Sequence, residues 1–453
     1  MKLLRLIPLA LLSPLAIGLP SSSAEEPVSF SKQVAPILLK HCQACHGARE
    51  AEGGMRLDNF EEAMKEGDSG SPGFLAKNLD ESEIYLRIAS DDEDERMPQE
   101  ADPLPADQIA LVRRWIEEGA KFDGPDPKAS LASLVPEAVH PDPPEVYPRA
   151  IPITALAFSG DGQELAVGGY HEITIWNPVD GALVRRIKNV AQRTYALAFS
   201  GDGKVLAAGS GTPGRLGEVR LFDPATGELT KVLGSTADVV FDIAFSPHGD
   251  RLAAAAADSS IHIYDLASGE EKLLIEGHSD WVMAVAWSGD GKKLVSASRD
   301  KTAKVFDTSS GELLVTYSGH GNSVKGVAFH PDGEQVYSSG DNKIQLWKIA
   351  DGKKTADVGS FDNEVYKLAL SGDALFACSA DKTVHQYEAK SHKEVRVYTG
   401  HTEWTFVATY HPKAKRLATG SFDGEVRLWN TEDGSPLVTF TAAPGYEPLA
   451  AAQ

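Results

Sequence analysis

Cys42, Cys45 and His46, in the run Cys42-Gln43-Ala44-Cys45-His46, are the residues whose types and spacing most clearly specify chemistry. Two cysteines three apart, with histidine directly after the second, is the spacing for covalent attachment of a c-type haem. Each thiol can add to one porphyrin vinyl group, and the adjacent imidazole then lies under the iron as proximal ligand. Two plainer readings compete, a short-range disulfide and half of a four-cysteine zinc site. The zinc reading is poor, because the only other cysteine is the distant Cys378. A redox dithiol usually sits beside a βαβ pattern, and none follows here. The motif occurs once, so the expectation is one covalent haem c, attached through Cys42 and Cys45 and ligated by His46.

A haem that carries electrons needs a sixth iron ligand, most often methionine. Met55, Met64 and Met97 are the candidates. Met97-Pro98 lies in a loop that proline stiffens, and is preferred; Met55, in a Gly-rich loop, is the rival; Met64 reads as packing.

Short helices must position these groups. One is expected from Ser29 or Ser31 to His41, with Val34, Ile37 and Leu38 on one face, delivering the motif at its C-terminal end. A short helical run is expected at 60–65. Asp80-x-x-Glu83 reads as a capping box opening a helix that carries Ile84 and Ile88. A last helix is expected over 105–118, with Ile109, Val112, Trp115 and Ile116 inward and Gly119 as C-cap. Residues 25–123 therefore read as a small all-α cytochrome c domain, in which the porphyrin supplies much of the core.

Together, Cys42–His46, Gly54-Met55-Arg56-Leu57, Ser82-Glu83-Ile84-Tyr85-Leu86-Arg87-Ile88, Arg96-Met97-Pro98 and Trp115-Ile116-x-x-Gly119-Ala120 resemble the planctomycete-type cytochrome c domain over about 28–122. The resemblance implies His46 and Met97 as axial ligands. Gln99 stands where that family often has a second proline. Before Met97 comes Asp91-Asp92-Glu93-Asp94-Glu95, read as a solvated acidic loop rather than a docking edge or calcium site; the EF-hand pattern is absent.

Residues 1–24 read as a secretory signal, with basic Lys2 and Arg5, an apolar stretch over 6–19 and the small residues Ser22-Ser23-Ala24 at the cleavage site. No later stretch has the roughly 20 apolar residues of a membrane helix. The expectation is an exported, periplasmic or otherwise extracytoplasmic protein, soluble after cleavage. With 44 basic and 65 acidic residues, a net charge of −21, the chain repels nucleic acid and favours basic partners. Cys378 reads as an inert buried thiol.

Residues 124–149 hold seven prolines and read as a semi-rigid linker. From Ile153 the chain repeats every 40–46 residues. Turns such as Phe158-Ser159-Gly160-Asp161-Gly162 recur seven times, as do strands ending in Trp176, Phe222, Tyr264, Phe306, Trp347, Tyr387 and Trp429. With Gly277-His278, Gly319-His320 and Gly400-His401, the pattern resembles WD40 repeats. Seven repeats imply an all-β seven-bladed propeller over 150–442, with a tail at 443–453. Each repeat is expected to supply its own outer strand, the last near 437–440, so that the ring closes without a borrowed strand. The resemblance implies an aspartate bonding the Gly-His histidine, as in His278–Ser296–Asp300 and in His401–Thr419–Asp423–Trp429. Blades one and two lack that aspartate and are expected to be looser. Tyr195, Phe241, Met283, Lys325, Tyr366 and Phe406, with Arg193, Trp281 and Trp404, fall at the starts of inner strands, either as a partner-binding face or as ordinary packing between blades.

The multidomain reading is an electron-transfer protein with one haem, a propeller that docks a partner, and an unidentified redox partner. Alternatives are an oxidoreductase whose propeller holds a substrate or second cofactor, and a haem-based sensor.

Overall fold

The computed structural model describes residues 26–47, 51–99, 102–134, 139–236 and 238–446. The leader read over 1–24 lies outside them, as does the end of the tail. The chain divides into two compact units, one ending at Glu137 and the other beginning at Ala138.

The first unit is helical. A turn of π-helix, Phe30–Val34, runs directly into α1 (Ala35–His41). Next come α2 (Gln43–His46), α3 (Phe60–Ala63), α4 (Glu83–Ile88), α5 (Ala106–Glu117) and α6 (Leu131–Leu134). The expected inward faces form: Val34, Ile37 and Leu38 are buried, as are Val112, Trp115 and Ile116, and Ile109 is half-buried. Trp115 anchors the core, with the rings of Phe74 and Phe30 5.2 and 5.3 Å away. Its indole N–H donates to the Lys121 carbonyl at 3.0 Å. Gly119 ends α5 with φ at +109°, a conformation glycine adopts without a side-chain clash.

The capping box at Asp80 does not form. The helix begins two residues later than that pattern implies, at Glu83, and Ser82 makes no cap bond. The Ser82 hydroxyl is taken up elsewhere: it accepts from Leu75 N at 2.9 Å and donates to the Asn78 carbonyl at 2.6 Å. Glu83 pairs instead with Arg87, one turn on, at 2.9 Å.

The proline-rich stretch 124–149 is not a free spacer. Its first part packs into the helical unit: Leu131 and Leu134 are buried, Leu131 N donates to Asp58 O at 2.9 Å, and Glu61 N donates to Pro127 O at 3.0 Å. Its last part holds to the second unit, where Tyr147 N donates to Pro444 O at 3.0 Å. Apolar residues between the prolines make these contacts, and proline count alone does not report them.

The second unit is a propeller of seven four-stranded antiparallel sheets. The blades span 156–187, 193–236, 240–275, 282–317, 326–358, 365–398 and 405–441. Strands in every sheet follow sequence order, so each blade is self-contained and the outer strand of blade seven is Pro436–Thr441, as expected. Second strands are buried on both faces and read as continuous apolar runs, such as Leu252-Ala253-Ala254-Ala255-Ala256. The Ser-Gly-Asp-Gly turns are tied internally. Ser159 donates to Asp161 at 2.6 Å and accepts from Glu164 N at 3.0 Å, and Gly162 takes φ of +71°.

Buried histidines bond as the repeat pattern implies in two blades. His278 reaches Asp300 at 2.8 Å and Ser296 at 2.7 Å; His320 reaches Asp341 at 3.0 Å and Ser338 at 2.8 Å. In blade seven His401 bonds Thr419 at 2.8 Å and Trp429 joins the same hydroxyl at 2.9 Å. Its Nδ1, however, lies 3.9 Å from Asp423, beyond hydrogen-bond reach. Asp423 accepts from Thr402 instead. Blades one and two, which lack the aspartate, carry ion pairs on carboxylates two positions further along the chain. Glu172 accepts from Arg186 at 2.5 Å and from the Tyr147 hydroxyl at 2.6 Å. Glu218 binds Arg220 at 2.8 Å and also His140.

Candidate cofactor site and propeller face

α1 carries the chain straight into the motif: Cys42 N donates to Leu38 O, and His46 N to Cys42 O, both at 3.0 Å. One helical turn separates the two cysteines, which places both thiols on one side. Burial, then the neighbouring Cys45 thiol, push the Cys42 thiol up to about 12. Redox-active and metal-binding dithiols have depressed values, so the pair lacks the electrostatics of a thioredoxin-like site.

His46 Nδ1 lies 3.3 Å from the Met55 carbonyl. A carbonyl only accepts, so Nδ1 is the donor in this contact, the arrangement that orients a metal-ligating imidazole with Nε2 outward. Leu57 N donates to His46 O at 2.6 Å, fixing the same loop against the motif.

These groups open onto a cavity of about 400 Å³, within the size range of cofactor sites. Cys42, Cys45 and His46 line it together with Leu57, with Ile84 and Ile88 of α4, and with Met97 and Pro98. Met97 N donates to Arg87 O at 3.1 Å, which ties its loop to α4. His41 also lines the cavity, and its buried Nε2 has no hydrogen-bond partner. Burial, then Lys40, lower the His41 pKa. The donor set, the apolar lining and the unpartnered nitrogen all fit a haem held by Cys42, Cys45 and His46.

Two of the three candidate methionines, Met55 and Met97, line the cavity. Met55 is 7% exposed, and its sulfur packs at Gly73. Its carbonyl is engaged by His46 Nδ1, so the Met55 backbone lies behind the imidazole, away from where Nε2 points. Met97 is half-buried at the cavity. Met64 packs against the core and is not part of the lining. The five acidic residues at 91–95 are all exposed, as expected of a solvated loop.

On the propeller, the inner-strand residues form two runs. Tyr195 and Phe241 are 5.4 Å apart, as are Phe241 and Trp281, with Met283 half-buried and Arg193 at the bridge to Tyr170. In the second run Lys325 lies 4.4 Å from the Tyr366 ring and 2.5 Å from Glu364, and Tyr366 contacts Trp404 and Phe406. Trp404 is 43% exposed and the other eight residues are half-buried. Arg299 and Phe422 join the two runs and escaped the sequence reading. Each directly precedes the aspartate of its blade's tight turn, a position at which the repeat pattern can find them. Cys378 is buried, and desolvation pushes its thiol up to about 12. One potential metal-ligand grouping is present among the described residues, His401, Asp423 and Glu425, and Arg427 already pairs with Glu425 at 2.7 Å. No helix among the described residues is long and apolar enough to cross a membrane.

Residues 42–100 match the family described as Planctomycete cytochrome C. Residues 227–265, 269–307, 311–348 and 392–430 match the WD domain, G-beta repeat. Among curated proteins, the chain is similar to apoptotic protease-activating factor 1 of Rattus norvegicus, 29% identical over 21% of this chain and 8% of that protein. It is also similar to eukaryotic translation initiation factor 3 subunit I of Aspergillus terreus, 37% identical over 15% of this chain and 20% of that protein. Protein groucho of Drosophila melanogaster is 28% identical over 21% of this chain and 14% of its own length. The chain thus spans a fifth or less of each of these three relatives.

Proposed function

Since the chain joins a planctomycete cytochrome c domain to a seven-bladed WD40 propeller, we propose that it is an exported mono-haem electron-transfer protein whose propeller docks a redox partner. Cys42 and Cys45 would hold the porphyrin covalently, and His46 Nε2 and Met97 Sδ would ligate its iron. When bound, the haem supplies one-electron exchange at its iron. The observation that carries the reading is the shared cavity, in which both thiols, an imidazole oriented by the Met55 carbonyl, and the Met97 side chain converge. Leu57, Ile84 and Ile88 add apolar surface to the lining, and Met97 is held by its own backbone bond to Arg87. The aromatic face of the propeller, with the chain's net charge of −21, supports a basic protein as partner.

The test is the absorption spectrum of the protein produced with haem-attachment machinery, oxidised and reduced, for wild type and Met97→Ala. Wild type should hold haem that survives denaturation, with the long-wavelength band of methionine-ligated ferric haem, and Met97→Ala should lose that band. Persistence of the band in Met97→Ala would reject Met97 as ligand. A high-spin wild type would reject the electron carrier in favour of a sensor or catalyst, and absence of covalent haem would reject the assignment of the site.

A further inference from the structure

The propeller contains a filled and an unfilled version of one arrangement. In blade four the Arg299 guanidinium lies 4.0 Å from the centre of the Trp281 ring, and its Nε lies 2.8 Å from each Asp280 oxygen. The backbone around it is fixed: Arg299 N donates to Trp281 O at 2.9 Å, and the Ser298 hydroxyl to Asp280 O at 3.0 Å. Blade seven repeats both bonds. Phe422 N donates to Trp404 O at 2.9 Å, and the Ser421 hydroxyl to Glu403 O at 3.1 Å. Position for position, Trp404 replaces Trp281, Glu403 replaces Asp280, and Phe422 replaces Arg299. Even the flanking ring is kept: Phe241 lies 5.4 Å from Trp281, and Tyr366 lies 6.2 Å from Trp404.

Blade seven therefore keeps the indole and the carboxylate but not the guanidinium. Phe422 stands 6.1 Å from Trp404 as a second aromatic wall. Trp404 is 43% and Phe422 50% exposed, and Glu403 is exposed beside them. Among the described residues, the rings that carry one of the chain's own cations are Trp287, Trp281 and Tyr366, not Trp404.

We propose that the Glu403–Trp404–Phe422 notch of blade seven binds the guanidinium of an arginine presented by a basic protein partner. The inference rests on the reading of the propeller as a docking module, and names the group that is docked. A planar, weakly hydrated cation stacks on an indole face more readily than a compact ammonium. Glu403 takes the chain position of Asp280, whose carboxylate accepts from Arg299, and supplies the matching negative charge. The chain's net charge of −21 favours approach of a basic surface.

The test uses the full chain labelled with fluorotryptophan, in which the Trp404 fluorine resonance is assigned from Trp404→Phe. The probe is N-acetyl-glycyl-arginyl-glycinamide, with the citrulline peptide as a neutral control of the same shape. The arginine peptide should move the Trp404 resonance saturably, and the citrulline peptide should bind roughly five- to tenfold more weakly. Glu403→Gln should weaken the arginine peptide roughly threefold. Phe422→Arg, which gives blade seven the arrangement of blade four, should abolish the response while the Trp281 resonance stays in place. Equal responses to the two peptides, an unmoved Trp404 resonance, or a Trp404 response unchanged by Phe422→Arg would each overturn the site. Movement of Trp281 in place of Trp404 would also overturn it, while leaving the propeller face as a docking surface.

Discussion

Replacing Arg220 with methionine tests how blade two holds together. The Arg220 side chain is fully buried and that of Glu218 is 3% exposed, with Arg220 Nε 2.8 Å from Glu218 Oε1. At that distance and an effective dielectric constant of about 20, the attraction is roughly 6 kcal/mol, much of it offset by removing both charges from water. Arg220→Met leaves the Glu218 carboxylate buried with only His140 beside it, and strips the Asn189 carbonyl of the donor it has at 2.9 Å. Breaking one side of such a pair costs about 3–5 kcal/mol. The double variant Glu218→Gln/Arg220→Met removes both charges and should recover most of that loss. Urea unfolding of the full chain, followed by the β-sheet circular dichroism signal of the propeller, reads both variants. A loss below about 1 kcal/mol for Arg220→Met, or a double variant no more stable than the single, would refute the argument that this buried pair holds blade two together.

Burial lowers the pKa of His278 and of His320 against the opposing pull of Asp300 and Asp341, and lowers that of His401 to about 4. A lowered folded-state value means that the unfolded chain binds protons first. Propeller stability is therefore full above about pH 6.5 and falls below it, by up to about 1.4 kcal/mol per pH unit for each histidine, and the His401 contribution levels off below about pH 4; denaturation midpoints from pH 8 to pH 4 check the sign. Leu131→Ala should cost the helical unit about 2–5 kcal/mol and leave the propeller transition in place, as read by separate helical and sheet signals in one unfolding experiment. Met55→Leu should keep the long-wavelength band that Met97→Ala removes, because Met55 serves through its carbonyl, which leucine retains.

The sequence carried the site's chemistry in clear form because that chemistry is local. Cys42, Cys45 and His46 are adjacent in the chain, and the turns and histidine partners of the propeller recur at a fixed period. What escaped was set by contacts distant in sequence. Asp80-x-x-Glu83 has the residue types of a capping box, but the helix starts only at Glu83, whose carboxylate turns forward to Arg87. The stretch 124–149 reads as a spacer by proline count, yet Leu131 and Tyr147 each find a partner surface. Blades one and two looked deficient because the pattern reports a missing aspartate and not the Glu–Arg pairs two positions beyond it. At His401 the residue types matched the repeat, but Thr402 draws Asp423 away from the imidazole.

Because every blade completes its own sheet, the seam between blade seven and blade one is made mainly of side chains. Trp176 stacks on Phe440 at 4.6 Å, Val407 and Leu428 share a cluster with Leu156 and Val167, and a bond from Ile153 N to Ser421 O at 3.0 Å joins the two. Among the described residues no strand is threaded from one end of the ring to the other, so no blade is topologically first. Tyr147 and Pro444, bonded through their backbones, bring the two ends of the ring together. A circular permutant joined at that point and opened in any loop between blades would re-create the same seven interfaces. Where the polypeptide enters the circle is then a matter of gene order, free to drift, and the fold leaves it unconstrained.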